Sequence, residues 1–204
     1  ISETIKAPMH ILTGKEEAFY SYIGAAGTSG ALTAVVDIGG GSTEICMGFG
    51  TDIGFRISFP LGCVRCTGQF DVVGARGIGE LKKHCFELFP QADEVASVKR
   101  WIFVGGTATS IAAMLQKLDV YDASRVQGFV LKPEEVSDLL KQLFSMSYEE
   151  RCHIPGLRPE RADIIVAGVA ILDALMEYFA IPEATVSDRD LQEGLLDADL
   201  VKPE

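Results

Sequence analysis

Residues 35–48 read VVDIGGGSTEICMG, and no other stretch constrains the chain as tightly. A short apolar run, Val35-Val36, ends in Asp37. Gly39, Gly40 and Gly41 follow, then Ser42, Thr43 and Glu44 ahead of a second apolar run. A strand, a glycine turn and a returning strand would set backbone N–H groups and small hydroxyls at one tip. Glycine has no Cβ to hold an anion off the main chain, so such a tip can seat a phosphate. Asp37 and Glu44 flank the turn, and paired carboxylates beside a phosphate suit a divalent cation or a positioned water. An ordinary hairpin with a glycine-rich turn is the plainer explanation. The order acid, three glycines, two hydroxyls, acid favours the phosphate loop.

A second turn repeats this logic. Trp101 to Ser110, WIFVGGTATS, runs a buried strand into Gly105-Gly106 and straight into a helix. Backbone amides and the helix N-terminus would face the same anion-favouring space. Thr107 and Thr109 serve equally well as helix caps. No lysine follows the glycines, so this is not the GxxxxGK[ST] phosphate loop. Two such turns, each closing a candidate sheet strand, point to one shared cleft.

Length and charge narrow the class. The 204 residues allow one domain of ordinary size, or one and a fragment, and at 48% hydrophobic they hold ample core material. The mean hydropathy is +0.21, yet no apolar stretch reaches the length of a membrane span. No signal peptide is legible, so a cytoplasmic protein without membrane partners is expected. The chain opens ISETIKAPMHIL, without a methionine, which suggests a piece of a longer polypeptide. The net charge of −11 argues against nucleic acid as a partner. An acidic protein holding phosphate needs local cations: Mg²⁺, or a few basic side chains. Arg56, Arg65 and Arg161 are the candidates, with solvated or structural roles as the plainer alternative and a helix-start role favoured for Arg161.

Five cysteines, 46, 63, 66, 85 and 152, are odd in number and irregular in spacing, which fits reduced structural thiols. Cys63 and Cys66 form a lone CxxC, and zinc would need two more ligands than the sequence offers. His10, His84 and His153 have no partners at useful spacing.

In order along the chain, residues 5–13 read as extended. Gly14-Lys15 opens a helix, EEAFYSYIGA, with Glu16 and Glu17 in its first turn. Acids there favour the macrodipole, and one of them could equally point into a cleft as a base. Strands are expected at 32–38, 43–49 and 53–59, helices at 62–70 and 75–89, a loop at 91–97, a strand at 101–104 and a helix at 109–118. A short extended piece at 125–131 precedes helices at 133 onward, 147–152 and 159–179. A last strand at 184–186 and a helix at 189–200 close the chain. Tight connections make the first three strands antiparallel, and helical crossovers make the later ones parallel. This is an α/β, ribonuclease-H-like layout with a mixed five-stranded sheet and a helical insertion, its glycine turns at strand ends where open sheets keep ligands.

DIGGGSTE at 37–44 resembles the second phosphate motif of the actin, sugar-kinase and heat-shock ATPase superfamily. ILTGKEEAFYSYIGA at 11–25, SFPLGCVR at 58–65, FVGGTATSIAAM at 103–114, RADIIVAGVAILDALM at 161–176 and VSDRDLQEGLL at 186–196 resemble, in order, the bacterial exopolyphosphatase/guanosine pentaphosphate phosphohydrolase (Ppx/GppA) family. The resemblance implies two such lobes around an active site. Residues 1–25 would then be a segment from the preceding lobe with the connecting helix, and residues 26–204 the second lobe. The first lobe has no counterpart here. Asp190 stands where the family commonly has glycine, and Cys66 and Gln69 replace more usual residues. All three are expected to lie outside the chemistry.

Carried over residue by residue, the resemblance makes Glu17 the base that activates water. It makes Asp37 and Glu44 catalytic acids that hold Mg²⁺ or order the water. Gly39, Gly40, Gly41, Ser42 and Thr43 would cradle phosphates through N–H and hydroxyl groups, with Gly105, Gly106 and Thr107 as the far wall. The implied reaction is hydrolysis of a terminal phosphoanhydride, releasing orthophosphate from polyphosphate or guanosine pentaphosphate, with the chain alone expected to be inactive. A nucleotide-binding ATPase or kinase lobe, or a non-catalytic polyphosphate or alarmone sensor, are the rivals. Substrate choice and oligomeric state, a homodimer included, stay open.

Overall fold

The computed structural model describes residues 11–27 and 29–198. Most of the segment expected to be extended at 5–13, and His10, lie outside them. Helix α1 (Gly14–Ala26) starts on a capping box: the Glu16 N–H donates to Thr13, and Thr13 donates its N–H and hydroxyl back to the Glu16 carboxylate. Strands β1 (Leu32–Ile38), β2 (Thr43–Phe49) and β3 (Asp52–Phe59) follow as an antiparallel meander. Then come α2 (Cys63–Gln69), α3 (Ala75–Leu88), β4 (Arg100–Val104) and α4 (Gly105–Leu115). A short α5 (Ala123–Val126) leads to β5 (Val130–Leu131), and α6 (Pro133–Ser145) and α7 (Tyr148–Arg151) form the helical insertion. The chain closes with α8 (Ile165–Tyr178), β6 (Ala184–Val186) and α9 (Leu191–Ala198).

The sheet order is β3-β2-β1-β4-β6-β5. β1, β4 and β6 run parallel, as their helical crossovers require. The sheet has six strands rather than the expected five. The extra one, β5, is two residues antiparallel to β6 within the piece expected to be extended at 125–131, whose first two residues instead end helix α5. Three other expectations shift. Residues 89–97 wind into 3-10 turns instead of a loop. The helix expected from 109 starts at Gly105. The long helix expected at 159–179 is a 3-10 turn at Pro159–Arg161 followed by α8.

β1 is apolar without alternation because it is covered on both faces. Ala34, Val36 and Ile38 face the larger core with Ile45, Phe103 and α8, while Val35, Cys46, Ile102 and Val104 face α1. Period-2 alternation therefore puts Asp37 and Glu44 on the α1 face. α8 is buried nearly all round, and its one buried acid, Asp173, takes hydrogen bonds from Lys82 (2.7 Å) and Ser137.

α9 packs on α1 through glycines. A Cβ at Gly194 would stand 1.8 Å from the Tyr20 carbonyl oxygen, and one at Gly24 would stand 2.1 Å from that of Asp190. Main chain cannot give way as a flexible side chain can. Gly194→Ala is therefore expected to cost about 1–3 kcal/mol by forcing the two helices apart. Gly79→Ala, on the open side of α3 with nothing within 4 Å, is expected to add about 1 kcal/mol. Chemical denaturation of the two variants checks the pair. Equal effects would contradict the close crossing.

Candidate active site

The first glycine turn is docked on the N-terminus of α2. The N–H of Cys63 donates to the Gly39 carbonyl (2.9 Å), and those of Val64 and Arg65 to the Gly40 carbonyl (3.0 Å each). Arg65 Nε donates to the Gly41 carbonyl at 2.7 Å. These bonds satisfy donors that a helix start otherwise leaves open. Gly62 permits the contact, since a Cβ there would stand 2.4 Å from the Gly40 carbonyl oxygen. Each trans peptide points its N–H opposite to its C=O. With the three carbonyls turned to α2, the N–H groups of Gly40, Gly41 and Ser42 are directed to the other side. Among the described residues no main-chain carbonyl receives them. Consecutive amides aimed the same way form an anion-binding nest.

The second turn sits beside the first. β1 and β4 are parallel neighbours with Asp37 in register with Val104, so both turns leave the same end of the sheet. Gly105 has φ +77°, and a Cβ there would stand 2.4 Å from Asp37 Oδ1. No side chain caps α4. Thr107 donates its hydroxyl to the Ile38 carbonyl (3.0 Å), fastening the two turns together, and Thr109 bonds back to the Gly105 carbonyl. Neither threonine is the cap that its position suggested. The Thr43 hydroxyl is likewise turned inward, donating to the Leu61 carbonyl at 2.6 Å. The hydroxyls of Thr43 and Thr107 are thus structural, and the donors facing the cleft are main-chain amides.

Asp37 and Glu44 sit at these turns, with Glu17 near enough for its charge to act on both. Asp37 and Glu44 are directly opposite in the β1–β2 ladder. Ser58 donates to Glu44 Oε1 at 2.6 Å, and Ser21 of α1 donates to Asp37 Oδ2 at 2.8 Å. Gly14, Glu17 and Ser21 share one face of α1 at helical spacing. The Gly14 end of that face lies against Ser58 and Glu44, with a Cβ there 3.6 Å from Glu44 Oε1, and the Ser21 end lies on Asp37. Glu17 falls between them. Its neighbour Glu16 serves the capping box, which separates two acids that the sequence left equivalent.

Burial pushes Asp37 up to about 6, with the charges of Asp190 and Glu17 adding to the rise against the Ser21 hydrogen bond. Burial pushes Glu44 up to about 7, opposed by Ser58 and Ser42 and reinforced by Asp37 and Glu17. Asp190, expected to lie apart from these residues, is near enough to Asp37 for its charge to be felt there. It caps α9, accepting from the Gln192 N–H at 3.0 Å. Among the described residues no three His, Cys, Asp or Glu side chains converge as a ready metal site. Two carboxylates completed by substrate oxygens and water are the usual magnesium arrangement, and Asp37 with Glu44 fits that pattern.

A cavity of about 380 Å³ opens beside the second turn, lined by Gly105, Gly106, Arg158, Arg161, Asp188 and Asp190. Arg161 lies against Gly106, where a Cβ would stand 2.1 Å from its Nη2, so it belongs to the cavity rather than to a helix start. Arg158 stacks over Tyr121, which hydrogen-bonds Asp188. Ser21 and Ser58 went unnoticed in the sequence, although Ser21 stands four residues after Glu17. Arg56 is exposed on β3, Arg65 is spent on the first turn, His84 packs on Phe70 and His153 is exposed. Cys46, Cys63, Cys66 and Cys85 are buried free thiols.

An open sheet with three leading antiparallel strands, parallel strands beyond and both glycine turns at one end defines a ribonuclease-H-like lobe of the actin-like ATPase type. The chain belongs to the Ppx/GppA phosphatase family, whose model it matches over residues 1–202. It is 29% identical over 201 residues to exopolyphosphatase 2 of Mycobacterium tuberculosis, covering 91% of this chain and 62% of that protein. The crystal structure of the Aquifex aeolicus Ppx/GppA family member matches at a TM-score of 0.88 with 27% identity, over 98% of this chain and 67% of that one. An exopolyphosphatase from Cytophaga hutchinsonii shares the fold at a TM-score of 0.86 with 22% identity, over 100% of this chain and 69% of that one. No helix among the described residues is long and apolar enough to cross a membrane.

The raised acids carry a stability signature. A carboxyl whose folded pKa exceeds its unfolded one stabilises fully below the unfolded value and loses that contribution as pH rises through the folded value. For Glu44 the window runs from 4.5 to about 7. Glu44→Gln is therefore expected to be more stable than wild type at pH 8 in metal-free buffer by about 1–3 kcal/mol, with the gap closing by about pH 4. Denaturant melts across that range check it. A gap independent of pH would contradict it.

Proposed function

We propose that this chain supplies the catalytic acids and the phosphate cradle of a phosphoanhydride hydrolase of the exopolyphosphatase type, releasing orthophosphate from the end of polyphosphate. What supports the reading is that Asp37 and Glu44 face each other at the first glycine turn, with Glu17 on the face of α1 that lies against both. Phosphoryl transfer asks a protein for in-line positioning and charge neutralisation more than for covalent help. The amides of Gly40, Gly41 and Ser42 would hold the equatorial oxygens of the terminal phosphoryl group as charge builds there. Glu17 would take the proton of the attacking water. Asp37 and Glu44 would hold Mg²⁺, whose charge would neutralise the phosphate chain.

The relatives are longer than this chain, and a further lobe would close the cleft from the other side. With buried free thiols and an acidic surface, a cytoplasmic setting suits the protein. The cavity at Gly105 and Gly106 favours a second substrate, guanosine pentaphosphate. Its volume falls in the range of small-ligand sites, and Arg158 and Arg161 set cations in its wall beside the second glycine turn, where a phosphate chain would lead into it.

In the full-length protein, Glu17→Gln is expected to lower kcat for phosphate release by about 10²–10⁴-fold while leaving polyphosphate affinity within about threefold. Release at the wild-type rate would remove Glu17 from the chemistry. Chelation with EDTA is expected to stop release from both substrates, and Mg²⁺ to restore it. Undiminished turnover in EDTA would remove the metal role. Hydrolysis of only one of the two substrates, assayed side by side, would settle which one the protein takes.

A further inference from the structure

Arg151, the last residue of α7, is 5% exposed. Among the described residues all three of its hydrogen bonds run to main-chain carbonyls. Nε donates to Ala162 at 2.8 Å, and Nη1 donates to Leu143 at 3.2 Å and Met146 at 2.8 Å. Leu143 and Met146 lie at the C-terminal end of α6, where the helix leaves carbonyls open and the macrodipole favours a cation. A buried guanidinium held by dipoles alone is expensive to place, so what it joins matters.

It joins the helical insertion to the turn that carries the cavity arginines. Ala162 directly follows the 3-10 turn Pro159–Arg161. Within that turn the Arg161 N–H donates to the Arg158 carbonyl (2.9 Å), and the Ala162 N–H donates to the Pro159 carbonyl (3.1 Å). The Ile164 N–H donates to the Arg161 carbonyl (3.1 Å), so the segment from Arg158 to Ile164 is tied to itself. Arg151 supplies its anchor to another element. At the free side of the turn, the Arg161 guanidinium lies on Gly106, which lacks the Cβ that would block it.

We propose that Arg151 is a positioning residue for substrate binding. By holding the Ala162 carbonyl against the end of α6, it fixes the turn that sets Arg161 on the second glycine turn. This rests on the reading of the cleft as a phosphate site. Arg151 touches no substrate. It acts through Arg161, so the helical insertion contributes to affinity across a main-chain contact. Lysine at this position keeps the charge but cannot reach both α6 and Ala162 with the same planar fork.

The test is steady-state phosphate release from polyphosphate by the full-length protein with Arg151→Lys, Arg161→Ala and both together, alongside thermal melts. Arg161→Ala is expected to raise KM by about 10–100-fold, the range for loss of charge-assisted contacts. Arg151→Lys is expected to raise KM roughly tenfold, as displacement of a binding group does, with kcat within about twofold. The double variant is expected to match Arg161→Ala alone in KM, because the two act as one unit. Arg151→Met gives a neutral comparison, and Arg151→Lys still reports if that variant does not fold. A lowered Tm with unchanged KM in Arg151→Lys would make Arg151 merely structural and overturn the proposal. Multiplied KM effects in the double variant would also overturn it. If Arg161→Ala leaves KM unchanged, the proposal falls, whereas the phosphate-site reading stands or falls separately on Glu17→Gln.

Discussion

The site depends on one backbone interaction: the carbonyls of Gly39, Gly40 and Gly41 are tied down at the start of α2 and by Arg65. The bonds do two things at once. They give the first turn of α2 the acceptors that no side chain there supplies, since Gly62 at its N-cap has none to offer. Because peptides are planar, they also turn the opposite amides outward as a set. A flexible glycine run would otherwise sample many conformations and lose much entropy on binding an anion. Docked in this way it is preorganised, which is what makes main-chain donors effective against developing charge. Gly62 matters as much to this as the glycines of the turn, although it lies more than twenty residues away in sequence.

On that platform the acids are arranged against their own stability. Asp37 and Glu44 face each other across a ladder, Glu17 overhangs both, and Asp190 adds a further charge. Ser21 and Ser58 offset part of the cost with short hydrogen bonds. A cluster of this kind relaxes when a cation or a positively assisted phosphate enters. The strain is therefore consistent with a binding role and inconvenient for a purely structural one. The close crossing of α1 and α9 at Gly24 and Gly194 holds Glu17 and Asp190 on the same flank of the sheet.

Much of this was legible in the sequence. The strand, glycine turn and strand at 32–49 and the strand-to-helix turn at Gly105 were plain, because glycine placement and apolar runs are local signals. The capping box of Glu16 was also present as Thr13-x-x-Glu16, although the packing of α1 is needed to see that Glu17 is near Asp37 and Glu44. What stayed hidden depends on contacts distant in sequence. Thr43 and Thr107 read as phosphate ligands because nothing local reveals the Leu61 and Ile38 carbonyls that take their hydroxyls. Arg161 read as a helix start because its guanidinium meets Gly106 only in the folded chain. β5 is only two residues of the piece that reads as extended at 125–131, too short to be told from a loop, and the link from Arg151 to Ala162 joins the end of a short helix to a turn eleven residues on, which no local pattern reveals.

The most direct measurement is an amide NMR titration of the isotope-labelled protein with inorganic tripolyphosphate and Mg²⁺. If the two turns form one phosphate-binding cleft, the N–H signals of Gly40, Gly41 and Ser42 should shift together with those of Gly105 and Gly106, saturating at one common concentration. The Thr43 and Thr107 hydroxyl environments should stay in place. Shifts confined to one turn, or spread over exposed lysines while both turns stay silent, would contradict the account.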